Sequence, residues 1–330
     1  MTTAALAPRR AWRPTQEQIV LLVTALLAAG FALWLPNFAT VGNLVALARG
    51  VAILGILGVA MSIVVIGRGL DLSLVASMAV TSAFSMQLVA HGWPWWGALA
   101  AALALAVAIG VVNGFVIAFV EVPALFTTLA TSFLIFGLGR TFLLDGIITY
   151  VPPEVGALAW LGQGRLAGIP APIVVFVAVA LLAEVLLSRT AIGRFIYAHG
   201  DNADAARLTG IAVRPLTMAE YGICAAIGCI AGIAMTASTG SMNMQIVNST
   251  MIFDVILVVV LGGVSLVGGR GGVISVVAGT ALIGTLLNGM TILDLDNNVQ
   301  NIVKGGVLLV AIILDNRLHP RDEETARQGD

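Results

Sequence analysis

Ten apolar runs separated by short polar breaks occupy this chain from residue 19 to residue 314. They lie near 19–35, 45–66, 70–90, 97–120, 123–143, 171–188, 217–239, 252–268, 272–293 and 299–314. Hydrocarbon offers peptide groups no hydrogen bonds, so roughly 20 apolar residues cross it as a helix that makes its backbone bonds internally. The pattern predicts an all-α polytopic membrane protein of about ten spans, organised as a single transmembrane domain over 1–330. Length alone suggests about two soluble domains. A mean hydropathy of +1.03 overrides that prior, as do charged residues at only 10% of the chain. The net charge of −1 gives no basis for a nucleic-acid partner.

The basic N-terminus ahead of the 19–35 run resembles the start of a signal peptide, but that run is long and many spans follow, which favours a retained first span. Cytoplasmic loops keep an excess of Lys and Arg. With the N-terminus inside, Arg9, Arg10, Arg13, Arg68, Arg189, Arg194, Arg207, Arg214, Arg270, Arg317, Arg321 and Arg327 are cytoplasmic, twelve of sixteen basic residues. Arg49, Arg140, Arg165 and Lys304 lie toward the other face, with Asp145, Glu154, Asp294 and Asp296. Both termini, 1–18 and 316–330, are expected in the cytoplasm. "IGVVNG" (109–114) and "IGTLLNG" (283–289) form a weak echo five spans apart, an odd shift that suits an inverted repeat.

The polar insert over 189–216 stands apart from this background. In "HGDNADAARLTGI" every local signal agrees on a helix of about two turns over 201–210. Asp201 or Asn202 can cap its start, and Asp204 sits in the positive first turn. Arg207 falls in the negative last turn, and Gly210 can take the left-handed conformation that ends a helix. So short a helix is unstable alone in water and must be held by contacts. The preceding "RTAIGRFIYAHG" offers glycines for turns and aromatics for packing. Ala203, Ala205 and Ala206 beside one arginine suggest a docking knob rather than a solvated loop.

These residues carry a resemblance. Thr190, Gly193, Arg194, Tyr197, Ala198, Gly200, Asn202, Ala205, Ala206, Gly210 and Ile211 meet a pattern similar to the coupling segment in permease subunits of bacterial ABC importers of the ribose/monosaccharide type, within the branched-chain amino acid/ribose permease superfamily. "GLDLSL" (69–74), "NGFVIAFVEVPALFTTLATSF" (113–133), "FDVILVVVLGGVSLVGGRGG" (253–272) and "VQNIVKGGVLLVAIILD" (299–315) resemble further family stretches in the same order. The chain departs from the family at Arg68, Leu74, Val75 and Ile252, which leaves the substrate open. The resemblance implies a translocation subunit in the bacterial inner membrane, moving a small-molecule sugar or polyol. It implies a pore shared with a second permease, identical or paralogous, two ATP-binding subunits below, and an extracytoplasmic sugar-binding protein above. Gly193, Arg194, Gly200, Asn202, Ala205, Ala206, Arg207 and Gly210 would then couple to the ATPase. Asn113, Thr127, Thr128, Thr131 and Asn288, polar residues within spans, are candidates for the pore, although such groups also serve helix packing.

No ATPase chemistry is expected in this chain, and no cofactor or metal. A phosphate-cradling loop needs a lysine, and the one lysine, Lys304, sits in "NIVKGG". The glycines of "LGGVSLVGGRGG" read as close backbone packing at a turn. His91, His199 and His319 are scattered over loops, and Cys224 and Cys229 read as small packing residues. Glu121, Glu184 and Arg68 lie near span ends, and Asp71 and Asp254 begin spans at the membrane edge. Arg140 and Lys304 are candidates for buried ion pairs, though snorkelling serves both. The rival reading is an ion-driven secondary transporter anchored on Asp71 or Asp254; an intramembrane enzyme lacks any nucleophile–base pair.

Overall fold

The computed structural model describes residues 15–318, with side chains through 313. Arg9, Arg10, Arg13, His319, Arg321 and Arg327, and most of both tails, lie outside the described residues. All ten apolar runs are helical: α1 (Gln16–Trp34), α2 (Val41–Ile66), α3 (Leu74–Ala90), α4 (Trp95–Phe119), α5 (Ala124–Leu138), α7 (Ala171–Arg189), α10 (Val213–Thr239), α11 (Met251–Gly262), α12 (Val273–Ile292) and α13 (Asn297–Leu318). Between them lie a short α6 (Leu158–Gln163), the insert helices α8 (Ala191–Asp201) and α9 (Ala203–Leu208), and two tiny antiparallel sheets. One sheet pairs Ile148–Tyr150 with Ser241–Asn243, which ties the α5–α7 connection to the end of α10. The chain is an all-α polytopic membrane protein.

α2 is the axis of the bundle. Every residue from Ala52 to Ile66 is buried, as expected of a helix that is apolar all round. α10, α12, α7 and α11 pack against it, α3 packs on α10 and α4, and α4 lies along α10 at backbone contact. A Cβ at Gly110 or Gly114 would strike the α10 backbone at Tyr221 or Met218. The outer helices carry the lipid-type surface, with Leu26, Phe126, Phe133, Leu182 and Ile302 exposed.

Contacts sort the helix ends onto two faces. Glu17, Ile66, the insert and the 263–272 turn share one, joined by Ser275 Oγ to Glu17 Oε1 at 2.9 Å and by Gly269 N–H to Ile66 O at 2.8 Å. Asn43, Asn288, the sheet at 148–150 and the α12–α13 turn share the other.

Among the described residues, seven helices are long and apolar enough to cross a membrane. The exceptions are informative. α3 starts only after an irregular stretch at 67–73, and α11 has 12 residues after the strand Ser241–Asn243 and a 3-10 turn over Met244–Asn248. The expected span over 252–268 therefore stops at Gly262, because Gly263, Gly268, Gly269 and Gly271 take left-handed backbone that no helix accommodates. Each half of the chain thus runs long helix, break, short helix, long helix, the order an inverted repeat requires.

Candidate functional site

The insert is two helices rather than one. Thr190 Oγ1 accepts from Gly193 N–H at 3.2 Å and starts α8. Gly193 and Gly200 do not make turns as expected; both sit inside α8 on its buried face. A Cβ on Gly193 would strike the Leu186 and Leu187 carbonyls, and one on Gly200 would strike Ile66 O and Gly269 N. Small size permits close approach here, not unusual torsion. The Tyr197 hydroxyl donates to Gly271 O at 2.8 Å. By these bonds α8 is fastened to the end of α2 and to the glycine turn after α11, so the run at 261–272 serves backbone packing.

Asn202 breaks the insert. Its side chain accepts from the backbone of Asp204 and Ala205 at 3.0 and 2.9 Å, so Asn202, not Asp201, caps α9. Asp204 and Arg207 approach to 3.5 Å on an exposed surface, a pair worth little in itself. Gly210 ends the segment at φ +86°. Ala206 faces inward and is buried, so the knob is narrower than expected: Ala205, Arg207 and Leu208 point outward, Leu208 being 90% exposed. Arg194 is exposed on α8.

A cavity of about 430 Å³ opens between the insert and the helix ends, and Arg68, Glu121, His199, Arg207, Arg214 and Glu220 contribute to its wall. Arg214 pairs with Glu121 at 3.1 Å and stacks over Phe119. Burial, then Arg207 and Arg68, hold the His199 imidazole below its ordinary pKa. Glu220 escapes the sequence reading. It is 1% exposed, and its Oε1 has no partner among the described residues. A signal for it exists: it is the one acidic residue in the run at 217–239.

Asp71 lies in the interior of the bundle rather than on its surface. It is fully buried, with Oδ1 accepting from the Ser73 backbone at 2.9 Å and the Ser73 hydroxyl at 2.6 Å. Cys224 Sγ lies 3.8 Å from Oδ2, so this cysteine does more than fill space. Asn113 Nδ2 donates to Ser73 Oγ at 2.8 Å, and Thr128 Oγ1 accepts from Leu72 N–H at 3.0 Å. Tyr221 donates to Leu70 O at 3.2 Å. These groups fasten the irregular backbone before α3. Asn113, Thr127 and Thr128 are therefore interior, not a surface a solute reaches in this conformation. Thr131 bonds its own helix at Thr127 O, and Asn288 exchanges amide bonds with Asn43 at 2.9 and 3.0 Å.

Asp254, the other expected edge charge, is paired instead. Its Oδ1 lies 2.9 Å from Lys304 Nζ, with the two side chains 16% and 12% exposed. Arg140 has no acidic partner among the described residues, and its Nη1 is buried without a hydrogen bond. No three metal-binding side chains converge among the described residues.

A family model described as branched-chain amino acid transport system / permease component matches residues 43–312. The chain is similar to the ribose import permease protein RbsC of Escherichia coli (strain K12), at 34% identity over 96% of this chain and 99% of that one. It is similar to RbsC of Bacillus subtilis (strain 168) at 36% over 86% and 87%. It is also similar to the L-arabinose transport system permease protein AraH of Escherichia coli (strain K12), at 37% over 90% and 89%. No solved structure matches. Ten apolar helices, an anchored polar insert and these matches lead to one conclusion: the chain belongs to the family of branched-chain amino acid transport system permease components.

Proposed function

We propose that this chain is the translocation subunit of an ATP-driven ABC importer for a monosaccharide or related polyol. The whole chain acts as one permease domain in the bacterial inner membrane among its lipids, with both termini and the insert in the cytoplasm. ATP is bound by a separate subunit, and the chain needs no cofactor of its own. A sugar-binding protein delivers substrate to the opposite face, and a second permease, identical or paralogous, completes the pore.

One observation carries this reading. The insert presents a narrow outward face, Ala205, Arg207 and Leu208, while α8 behind it is joined by backbone contacts to the ends of α2 and α11. A load on α9 is therefore transmitted as rigid-body movement. Gly193, Arg194, Gly200, Asn202, Ala206 and Gly210 build and orient that face. An ion-coupled mechanism is disfavoured, because Asp71 is hydrogen-bonded in the interior and Asp254 is neutralised by Lys304.

The test is reconstitution in liposomes with the ATP-binding subunit and the binding protein, using ribose and arabinose as probes. Uptake should require ATP and all three components. Uptake by the purified chain under an ion gradient alone would overturn the proposal.

A further inference from the structure

The polar surface most out of place on this molecule lies between α11 and α13. Lys304 Nζ contacts both Asp254 oxygens, at 2.9 and 3.2 Å, and donates to Thr250 Oγ1 at 3.1 Å. Thr250 Oγ1 in turn donates to Asn301 Oδ1 at 3.4 Å. These groups and Phe253 border a hollow of about 290 Å³.

Two separate measures put this cluster well inside the membrane. α11 ends at the insert face and has 12 residues. It therefore rises about 18 Å through a hydrocarbon layer of about 30 Å, which leaves its start about 12 Å short of the far boundary and Asp254, three residues on, about 16 Å below it. Lys304 lies seven residues into α13, which starts at that far face, and so about 10 Å below it. The Lys304 side chain spans the difference between the two depths to reach Asp254.

An ion pair facing lipid at that depth is costly. At that depth such a pair is tolerated only inside protein or along a water-filled path. The interior polar groups of the bundle, Asn113 and Thr128, are closed off. Asp254, Lys304 and Asn301 are instead reachable from the hollow, with Phe253 56% exposed beside them.

We propose that Asp254, Lys304, Asn301 and Thr250 form a substrate subsite on the translocation path, taking vicinal hydroxyls of a neutral monosaccharide or polyol in the outer half of the membrane. The proposal rests on the importer reading above. A carboxylate held by one ammonium keeps lone pairs for two adjacent hydroxyls, and the amide of Asn301 can donate to one and accept from another. The Phe253 ring offers an apolar wall to the C–H face of a sugar. The pair compensates its own charge, so the site attracts no ion. A zwitterionic amino acid would have to break the pair in order to use either charge. The hollow lies at the small end of ligand-site volumes, which suits one sugar ring rather than an oligosaccharide.

The experiment uses Asn301→Cys in the full chain, since Cys224 and Cys229 are both buried and give little background. In liposomes, a membrane-impermeant maleimide added from the binding-protein side should label this variant. Ribose or arabinose at saturating concentration should slow labelling about fivefold or more, and leucine should not. In the complete complex, Asn301→Ala should raise KM for uptake about tenfold, the cost of one lost hydrogen bond, with ATPase stimulation by the binding protein retained. The double variant D254N/K304M removes both charges together and should do the same. Protection by leucine instead of sugar, no labelling at all, or unchanged KM in both uptake variants would overturn the subsite. Loss of ATP dependence with protection intact would reject the importer reading alone.

Discussion

Gly200→Ala places a methyl group at the tightest glycine junction among the described residues. The added carbon would lie 2.6 Å from Gly269 N and 3.0 Å from the Ile66 carbonyl carbon, and against Ile66 O. Those atoms belong to one hydrogen bond, Gly269 N–H to Ile66 O at 2.8 Å, so no rotamer change relieves the clash. Either that bond breaks, at about 1–3 kcal/mol for buried groups left unpaired, or α8 shifts outward, at a similar overpacking cost. A penalty of about 2 kcal/mol raises the population with a displaced insert about thirtyfold. The core of α2, α3 and α10 does not depend on this contact, so membrane insertion and yield should stay at the wild-type level. Gly42→Ala is the control, since its added methyl meets nothing within 4 Å. The assay is ATPase stimulation by the loaded binding protein in the reconstituted complex, expected to fall about tenfold or more in Gly200→Ala and to hold in Gly42→Ala. Full stimulation in Gly200→Ala at normal expression would refute the idea that the insert works through its backbone junction.

Ala205→Pro removes the N–H that the Asn202 cap accepts at 2.9 Å, about 1 kcal/mol, and disfavours helical torsions at Asp204, while Arg207→Glu reverses charge on the outward face; both should insert normally yet lose co-purification with the ATP-binding subunit. His199 is held below its ordinary pKa chiefly by burial, then by Arg207 and Arg68. The folded insert therefore binds fewer protons than the unfolded chain, and acidification destabilises it as pH falls below about 6.5. Activity lost between pH 7 and pH 5 should be partly restored in His199→Gln, as pH-dependent ATPase stimulation would record. Lys304→Met alone leaves Asp254 unpaired and should lower thermal stability in detergent by more than the D254N/K304M double variant does, because one uncompensated charge costs about 3–5 kcal/mol.

What the sequence disclosed follows from how far each signal reaches. Asn202, Asp204, Arg207 and Gly210 act on backbone within three residues of themselves, so the start and end of α9 are legible from spacing alone. Asparagine prevails over Asp201 as cap because α8 runs on through Asp201. The glycines of α8 mislead, because turns and close helix contacts use the same residue, and only the Ile66 and Gly269 backbone distinguishes them. Asp254 and Lys304 each stand out in the sequence, but 50 residues separate them, and no local pattern marks such a pair. Asp71 suits a helix start by position. Its burial depends on Ser73, Asn113 and Cys224 meeting from three different helices' neighbourhoods. Glu220 is easily overlooked because one carboxylate inside a long apolar run does not break the run.

The placement of α11 links the two ends of this reading. Its C-terminal end runs into the glycine turn at 263–272, which Gly200 and Tyr197 of the insert hold directly. Its first turn carries Asp254. The eight helical residues between them, 255–262, act as a rod of about 12 Å, so displacement at Gly269 must either move Asp254 relative to Lys304 or bend a helix that holds no proline. Coupling through a rigid element requires a measurable response at both ends. Gly200→Ala combined with Asn301→Cys supplies that measurement, because the label reports on the hollow beside Asp254 while the substitution acts at the opposite face. If α11 transmits the displacement, the labelling rate of the Asn301→Cys thiol should change at least twofold when Gly200 is replaced, with Gly42→Ala in the same background as the unchanged reference. An identical rate in all three proteins would mean that the insert and the hollow move independently, and that the path from the ATP-binding subunit runs through α2 and α10 instead.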